Sequence, residues 1–494
     1  MTTLLQEIQR ARAIATATPR GLFTAGEWRD AEGARVLGVE DPATGETVAE
    51  VADASEKDAL AAVAAAADAQ QAWAATPPRE RGEILYRAFA LVLERREDLA
   101  RLMTLEMGKS LAESRAEITY AAEFLRWFSE EAVRIDGGYL VAPGGGSRVL
   151  VMRQPVGVCL LVTPWNFPLA MGTRKIGPAL AAGCTVVVKP AKQTPLSMLA
   201  FAGILAEAGV PAGVVNVVTT STSGPVTAAM MADGRVRKIS FTGSTEVGRV
   251  LLRQAADNVL RTSMELGGNA PFLVFDDADL DAAVEGAVLA KMRNVGEACT
   301  AANRFYVHEA VAEPFAAALA ERLAAMTVGH GLDPATDVGP LIDANAVGSV
   351  AGLVADAVDG GAQVRTGGAA LDRDGHFYAP TVLTGVSPDA RSVREEIFGP
   401  VAPLVTFRDE DEVIARANDS EYGLASYVFT ESLDRGLRVT ERLQAGMVGL
   451  NQGIVSNPAA PFGGVKQSGT GREGGFTGIE EYLDVKYASV RVRS

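Results

Sequence analysis

Three cysteines (Cys159, Cys184, Cys299) and three histidines (His308, His330, His376) are all that the 494 residues hold of the two side chains best suited to nucleophilic and metal chemistry. No two of the six are close neighbours along the chain. Structural zinc sites want paired Cys or His at short spacing, so no metal is expected. A disulfide framework is equally disfavoured, which points to a reducing compartment. The chemistry left is that of one thiol. Cys159 and Cys184 lie among Val, Leu and Ala, where Cys behaves as a small hydrophobe. Cys299 lies in Arg293-Asn294-Val295-Gly296-Glu297-Ala298-Cys299-Thr300, a polar, glycine-bearing stretch unlike a core strand. A thiolate nucleophile needs a base or positive potential beside it. No histidine sits in a motif, and Glu265-Leu266-Gly267-Gly268-Asn269 offers the nearest carboxylate motif.

Two segments could meet a phosphate. Gly469-Thr470-Gly471-Arg472-Glu473-Gly474 matches GxGxxG by letter. That fingerprint works only between a strand and a helix inside a βαβ unit, and here the context is a turn-rich connection near the chain end. Phe241-Thr242-Gly243-Ser244-Thr245-Glu246-Val247-Gly248 has the better setting: it follows an apolar run and opens a helical pattern. Ser244 is a good N-cap, and free N–H groups at a helix start favour an anion. An ordinary capped turn would look the same.

The elements that must position these residues show a change of texture. Glu56–Trp73 is Ala-rich and Arg79–Met107 repeats apolar residues at helical spacing. From Val156 onward, short β-branched runs (Val156–Val162, Thr185–Val188, Val214–Val218, Lys238–Phe241) alternate with helical segments such as Leu169–Ala182 and Pro195–Ala208. A second alternating series runs from Pro271 to about residue 460. Such alternation predicts α/β architecture with doubly wound parallel sheets. No apolar run reaches the roughly 18 residues of a membrane span. Glu7, Arg10 and Arg12 interrupt what would be a secretory core, leaving a mitochondrial presequence as the only leader to weigh against a cytoplasmic location. The net charge of −15 is spread thinly, without the basic cluster that nucleic-acid binding requires.

Seven motifs in register carry a family resemblance: PWNFP (Pro164–Pro168), KPAKQTP (Lys189–Pro195), FTGSTEVG, ELGGNAP (Glu265–Pro271), GEACT (Gly296–Thr300), EEIFGP (Glu395–Pro400) and PFGGVKQSG (Pro461–Gly469). Together they resemble the aldehyde dehydrogenase superfamily over essentially the whole chain. Gly172-Thr173-Arg174-Lys175, Met292-Arg293-Asn294, Asn451–Ser456 and the closing GIEEYLDVKY resemble its succinate-semialdehyde dehydrogenase branch. The resemblance implies a Rossmann-like NAD(P)-binding domain (1–136 and 155–267) and a catalytic domain (268–462). It also implies a small β oligomerisation arm (137–154 and 478–494) and a homodimer or homotetramer.

It also implies roles. Cys299 would attack the aldehyde, the Asn166 amide and the Cys299 N–H would bind the oxyanion, and Glu265 would be the general base that hydrolyses the thioester. Relatives that pass the acyl group to coenzyme A tend to lack that Glu, so a free acid is the expected product. Lys189 would contact the adenosine ribose, Gly243 and Ser244 the pyrophosphate, and Glu396 the nicotinamide ribose. Phe398 would meet the nicotinamide, with Trp165 and Leu266 lining the cleft. NAD-specific relatives carry Glu where this chain has Lys192; a Lys can pair with a 2′-phosphate, so NADP is expected, with NAD as a second cofactor. Arg174, Arg293 and Ser456 would hold the distal carboxylate of succinate semialdehyde, or of glutarate semialdehyde one methylene longer. A thiol hydrolase or acyltransferase would also use Cys299 but usually needs a His beside it. A non-catalytic paralogue would not need Cys299, Glu265 and Asn166 intact. Where many branch members have a second Cys, this chain has Ala301, which leaves no disulfide gate. Glu297 replaces the usual Gln; it would either relay protons or raise the thiol pKa by repulsion.

Overall fold

The computed structural model describes residues 2–492, in two open sheets, a small three-stranded one and a two-stranded hairpin, Val36–Asp41 with Glu46–Ala52. In the first sheet the strands Arg261–Glu265, Val236–Thr242, Val158–Val162, Val186–Lys189 and Val215–Val217 lie side by side and parallel. Val158–Val162 and Val186–Lys189 are buried throughout, because helices cover both faces of a parallel sheet and leave no polar side. Short antiparallel strands close the two edges: Gly469–Thr470 at one, Leu22–Thr24 with Glu27–Arg29 at the other. From Val158–Val162 the chain winds outward through Val186–Lys189 and Val215–Val217. It then crosses back to lay Val236–Thr242 on the other flank. Open α/β sheets bind ligands at that reversal, beyond the carboxyl ends of the strands. Pro164-Trp165-Asn166 and Gly243-Ser244 leave the sheet there.

The second sheet orders Gln363–Thr366, Thr381–Thr384, Val401–Phe407, Ala302–His308, Ala270–Val274, Ala425–Phe429 and Met447–Leu450. Only the Gln363–Thr366 edge is antiparallel. Phe272 centres its core, with the Phe305 and Phe429 rings 5.1 and 4.9 Å away. The third sheet, Gly138–Val141, Ser147–Pro155 and Leu483–Arg491, is antiparallel and leaves Tyr139, Val485 and Tyr487 exposed. Among the described residues, no helix is long and apolar enough to cross a membrane.

Most expected elements appear within two residues of their sequence bounds. The apolar repeat of Arg79–Met107 breaks at Arg95 into helices Pro78–Glu94 and Arg96–Met107. Separation in sequence misleads for two cysteines. Cys159 lies on a strand registered against Val186, and Cys184 sits just ahead of that same neighbouring strand, so the two buried thiols touch. Both stay free. Burial, with the Cys184 contact, pushes the Cys159 thiol well above its usual range.

Candidate active site

At the chain reversal of the first sheet, a cavity of about 240 Å³ opens against the second sheet. Cys299, Glu265, Asn166, Glu396 and Phe398 all line it, with Trp165, Leu266, Gly243 and Ser244. They arrive from five stretches of chain: the loop after Val158–Val162, the start of helix Thr245–Asp257, the end of strand Arg261–Glu265, the turn after helix Leu280–Met292, and the loop after Arg391–Arg394. Cys299 is half-buried and is the cysteine that faces this space, the other two being fully buried. Burial pushes its thiol up to about 12, Arg174 opposes this, Glu396 and Glu265 reinforce it, and Arg293 opposes it more weakly.

The Asn166 side chain is fixed from both ends. Its Oδ1 accepts the Phe167 N–H at 3.1 Å and its Nδ2 donates to the Glu297 carbonyl at 2.9 Å, leaving one N–H free. Glu265 is buried with both carboxyl oxygens unpartnered. Burial, and then the charge of Glu473, holds its carboxyl well above the ordinary carboxylate range, against Arg174, Lys175 and Arg472. Glu473 goes the other way: burial works against ionisation, but Lys175 and Arg174 outweigh it and keep the group below the ordinary value. Lys175 and Arg174 both ion-pair with Glu473, and all three are buried. The two neighbouring carboxyls are thus pushed in opposite directions, Glu473 toward its charged form and Glu265 toward its neutral one.

Lys175 and Glu473 are site residues that the sequence reading passed over. Lys175 stands next to Arg174 in an apolar helix, and Glu473 sits inside the GxGxxG look-alike. That segment forms a two-residue edge strand and turns, without the strand-to-helix setting of a phosphate loop. Glu297 is settled by geometry. Its Oε1 accepts the Ile342 N–H at 3.1 Å, and the charges it meets are Lys109, Asp343 and Glu113, so it is turned away from the thiol it was expected to influence.

A second, larger cleft of about 970 Å³ shares Pro164, Trp165, Thr242, Gly243 and Ser244 with the first, making one continuous passage. Lys189 and Lys192 line its outer part. Lys189 is buried, donates to Ser223 Oγ at 3.2 Å, and is drawn down to about 8 by desolvation. Lys192 is exposed at the rim. Ser244 caps helix Thr245–Asp257 by accepting the Val247 N–H. A Cβ on Gly243 would come within 2.4 Å of the Phe241 ring, so bare backbone faces the cleft there. Open N–H groups at a helix start, flanking lysines and a long cleft fit a phosphate-bearing dinucleotide. At the inner end Glu396 accepts the Gly268 N–H at 3.1 Å and is raised to about 7 by burial. Phe398, at φ 50°, meets Trp165 edge-on at 5.4 Å.

Of the three residues expected to hold a carboxylate, Arg174 and Arg293 act on the thiol by charge and Ser456 is reached through Arg293, while none of the three lines the 240 Å³ cavity. Arg293 donates to Ser456 Oγ at 3.2 Å and stacks on Phe167, its guanidinium carbon 4.9 Å from the ring centroid. Arg174 is almost fully buried, lies 4.0 Å over the Phe462 ring and is committed to Glu473.

Paired α/β sheets that bring a thiol, an amide and a carboxyl to the inner end of a long cleft fit a nucleotide-dependent enzyme. Residues 28–488 match the aldehyde dehydrogenase family, and the chain belongs to it. It is 58% identical over 443 residues to a succinate-semialdehyde dehydrogenase of Paenarthrobacter nicotinovorans, covering 90% of this chain and 98% of the relative. It is 50% identical over 467 residues to a glutarate-semialdehyde dehydrogenase of Pseudomonas putida, covering 94% and 97%. A crystal structure described as an E. coli NADP-dependent enzyme superposes with a TM-score of 0.95 at 50% identity, over 97% of this chain and 99% of that one.

Proposed function

We propose that this enzyme oxidises succinate semialdehyde to succinate with NADP as the preferred cofactor, NAD also serving, through a thiohemiacetal and a thioester on Cys299. The observation that carries the substrate reading is the Arg293–Ser456 pair, a guanidinium and a hydroxyl joined at 3.2 Å beside the aromatic wall of Phe167. A planar, doubly donating cation suits a carboxylate. Both the succinate-semialdehyde and glutarate-semialdehyde relatives support an ω-oxo acid, and glutarate semialdehyde or another short member is the alternative. Cytoplasmic residence, a homodimeric or homotetrameric assembly through the exposed three-stranded sheet, and a part in 4-aminobutyrate degradation complete the reading.

In this scheme the Cys299 thiol first gives up its proton to solvent, and the thiolate Sγ then bonds to the aldehyde carbon while the carbonyl oxygen gains negative charge. The free N–H of Asn166 and the Cys299 backbone N–H receive that charge, and fixed donors of this kind are worth a few kcal/mol in the transition state. Bound NADP supplies the hydride acceptor. Lys189 and Lys192 would hold its adenosine phosphate end, Gly243 and Ser244 its pyrophosphate, and Glu396 its second ribose. Glu265, once deprotonated, takes a proton from water, whose oxygen bonds to the acyl carbon as the C–S bond breaks and the acid leaves.

Arg293→Ala is expected to lower kcat/KM for succinate semialdehyde by about 10- to 150-fold, the equivalent of one charged hydrogen bond of roughly 1.5–3 kcal/mol. Butanal, which has no carboxylate, should change less than about twofold in the same steady-state assay. Equal losses for the two aldehydes would refute the clamp.

The cofactor reading has its own test. Lys192→Glu should cut kcat/KM with NADP by about 100-fold, because a carboxylate repels the 2′-phosphate, and should raise it with NAD, whose ribose hydroxyls a carboxylate accepts. An unchanged ratio of the two efficiencies would remove Lys192 from the cofactor site.

A further inference from the structure

The chain immediately before the nucleophile is held in a conformation that its residues disfavour. Asn294, Val295 and Gly296 have φ of 56°, 59° and 77°, three successive left-handed residues, of which only one is glycine and one is β-branched. L-residues visit this region singly, not in runs, unless the surroundings over-determine them. Gly296 has no freedom to change, since a Cβ would fall 2.2 Å from the Gly399 carbonyl oxygen. The turn then places Glu297, whose carbonyl accepts the Asn166 Nδ2, and Cys299, whose own carbonyl lies so close to Gly268 that a Cβ there would be 2.2 Å away. Any relaxation of the turn therefore moves both oxyanion donors relative to each other.

What holds the turn comes partly from within. The Asn294 amide donates to the Asn166 and Glu297 carbonyls at 3.1 and 2.9 Å, and the Glu297 N–H returns to the Asn294 carbonyl at 2.9 Å. The Asn294 Oδ1 is buried without a partner, whereas the Asn294 backbone N–H is satisfied from a distant helix. It donates to Glu113 Oε1, 181 positions earlier in the chain. Glu113 occupies the third position of helix Leu111–Glu131, where a Glu after the Ser110 cap ordinarily turns back to the cap's own N–H. Here Ser110 does accept the Glu113 N–H, but the carboxyl leaves the helix end for the catalytic turn. Its Oε2 is buried without a partner, and the carboxyl lies within the fields of Lys109 and Arg293.

We propose that Glu113 is a positioning residue for the nucleophile: by accepting the Asn294 N–H it locks the left-handed turn Asn294–Gly296 and so keeps Cys299 aligned with the Asn166 amide. The role rests on Cys299 being the nucleophile. It is tested with Glu113→Met, nearly isosteric but unable to accept, Glu113→Gln, which still accepts, and Ser110→Ala, which weakens the same helix end without touching the turn. Glu113→Met is expected to lose about 10- to 100-fold in kcat with the aldehyde KM within about threefold, since misplacement of reacting groups acts on the chemical step. The rate of Cys299 alkylation by iodoacetamide should change along with kcat. Glu113→Gln should stay within about fivefold of the parent enzyme in kcat, and Ser110→Ala should lower the melting temperature with kcat unchanged. The proposal is overturned if Glu113→Met keeps the parent kcat, if Glu113→Gln falls as far as Glu113→Met, or if Ser110→Ala reproduces the Met phenotype. Should the Met variant fail to fold, a Gln variant below one-tenth of the parent kcat overturns it alone. Alkylation of the parent enzyme that maps to Cys299 yet spares activity would instead remove Cys299 as nucleophile.

Discussion

Cys299→Ala is expected to abolish aldehyde oxidation, lowering kcat by at least about 10⁴-fold, the scale on which removing a covalent nucleophile acts. The fold should be little affected, because the side chain is only half-buried and opens on a cavity. The expected size of the effect follows from what else is present. None of the three histidines lines the cavity, and the carboxyl nearest to doing the work, Glu265, faces water chemistry better than carbon. Nothing on the cavity wall can replace the thiol. The thiol also starts from a poor position: burial pushes it up to about 12, so at neutral pH it is overwhelmingly protonated and depends on Arg174 and Arg293 for what positive potential it has. Raising the pH should therefore speed alkylation of Cys299 across the whole neutral and alkaline range, without a plateau near pH 8. Cys159→Ala and Cys184→Ala supply the contrast. Both side chains are fully buried away from the cavity, so each should keep kcat within about twofold while losing about 1–2 kcal/mol of stability to the void left behind. Steady-state rates and thermal melts of the three variants check all of this; an alanine at 299 that retains more than about one per cent of kcat contradicts it.

The contrast among the cysteines marks how far sequence alone reaches. Cys299 was legible because its neighbours are wrong for a core strand, and the parallel strands were legible because burial on both faces writes a continuous apolar run. Ser244 was legible as a cap from residue type and context. The cleft itself was not, because the reversal of strand order that creates it depends on which strands pair, and pairing is a long-range property. The same holds for the chemistry behind the thiol. Lys175 finds Glu473 at a separation of 298 residues, and Glu113 finds Asn294 at 181, so neither partner carries a local sign of the other. Cys159 and Cys184 illustrate the opposite error, in which distance along the chain was taken for distance in space. Glu297 shows that a position close to the nucleophile in sequence need not face it in the fold, since the strained turn just before it aims the carboxyl at the Ile342 N–H. The break at Arg95 has no Gly or Pro to announce it.

Glu265→Gln separates the two halves of the reaction and has the second large effect. In the proposed scheme the Cys299 thiol loses its proton to solvent, so attack and hydride loss need no carboxylate at 265, whereas hydrolysis of the resulting thioester needs a base to take a proton from water. The variant should release one equivalent of reduced cofactor per active site in a rapid burst and then turn over about 10²- to 10⁴-fold more slowly than the parent, the range that general-base catalysis supplies. The stalled species is an acyl-enzyme, visible as an added acyl mass on the Cys299 peptide. The pH dependence follows from the geometry. Burial and the neighbouring charge of Glu473 hold the Glu265 carboxyl well above its ordinary range, so it keeps its proton, and is idle as a base, to higher pH than an ordinary carboxyl. Hydrolysis by the parent enzyme should thus rise with pH as that proton is lost, and Glu265→Gln should flatten this limb. Lys175 and Arg174 outweigh the burial of Glu473 and favour its charged form, and that charge adds to burial in holding the proton on Glu265. Glu473→Gln should therefore shift the limb to lower pH, since a neutral neighbour no longer penalises the Glu265 carboxylate. A burst that is absent in Glu265→Gln would place the carboxyl before hydride loss, as the base for the thiol, and would reassign the proton traffic of the whole site.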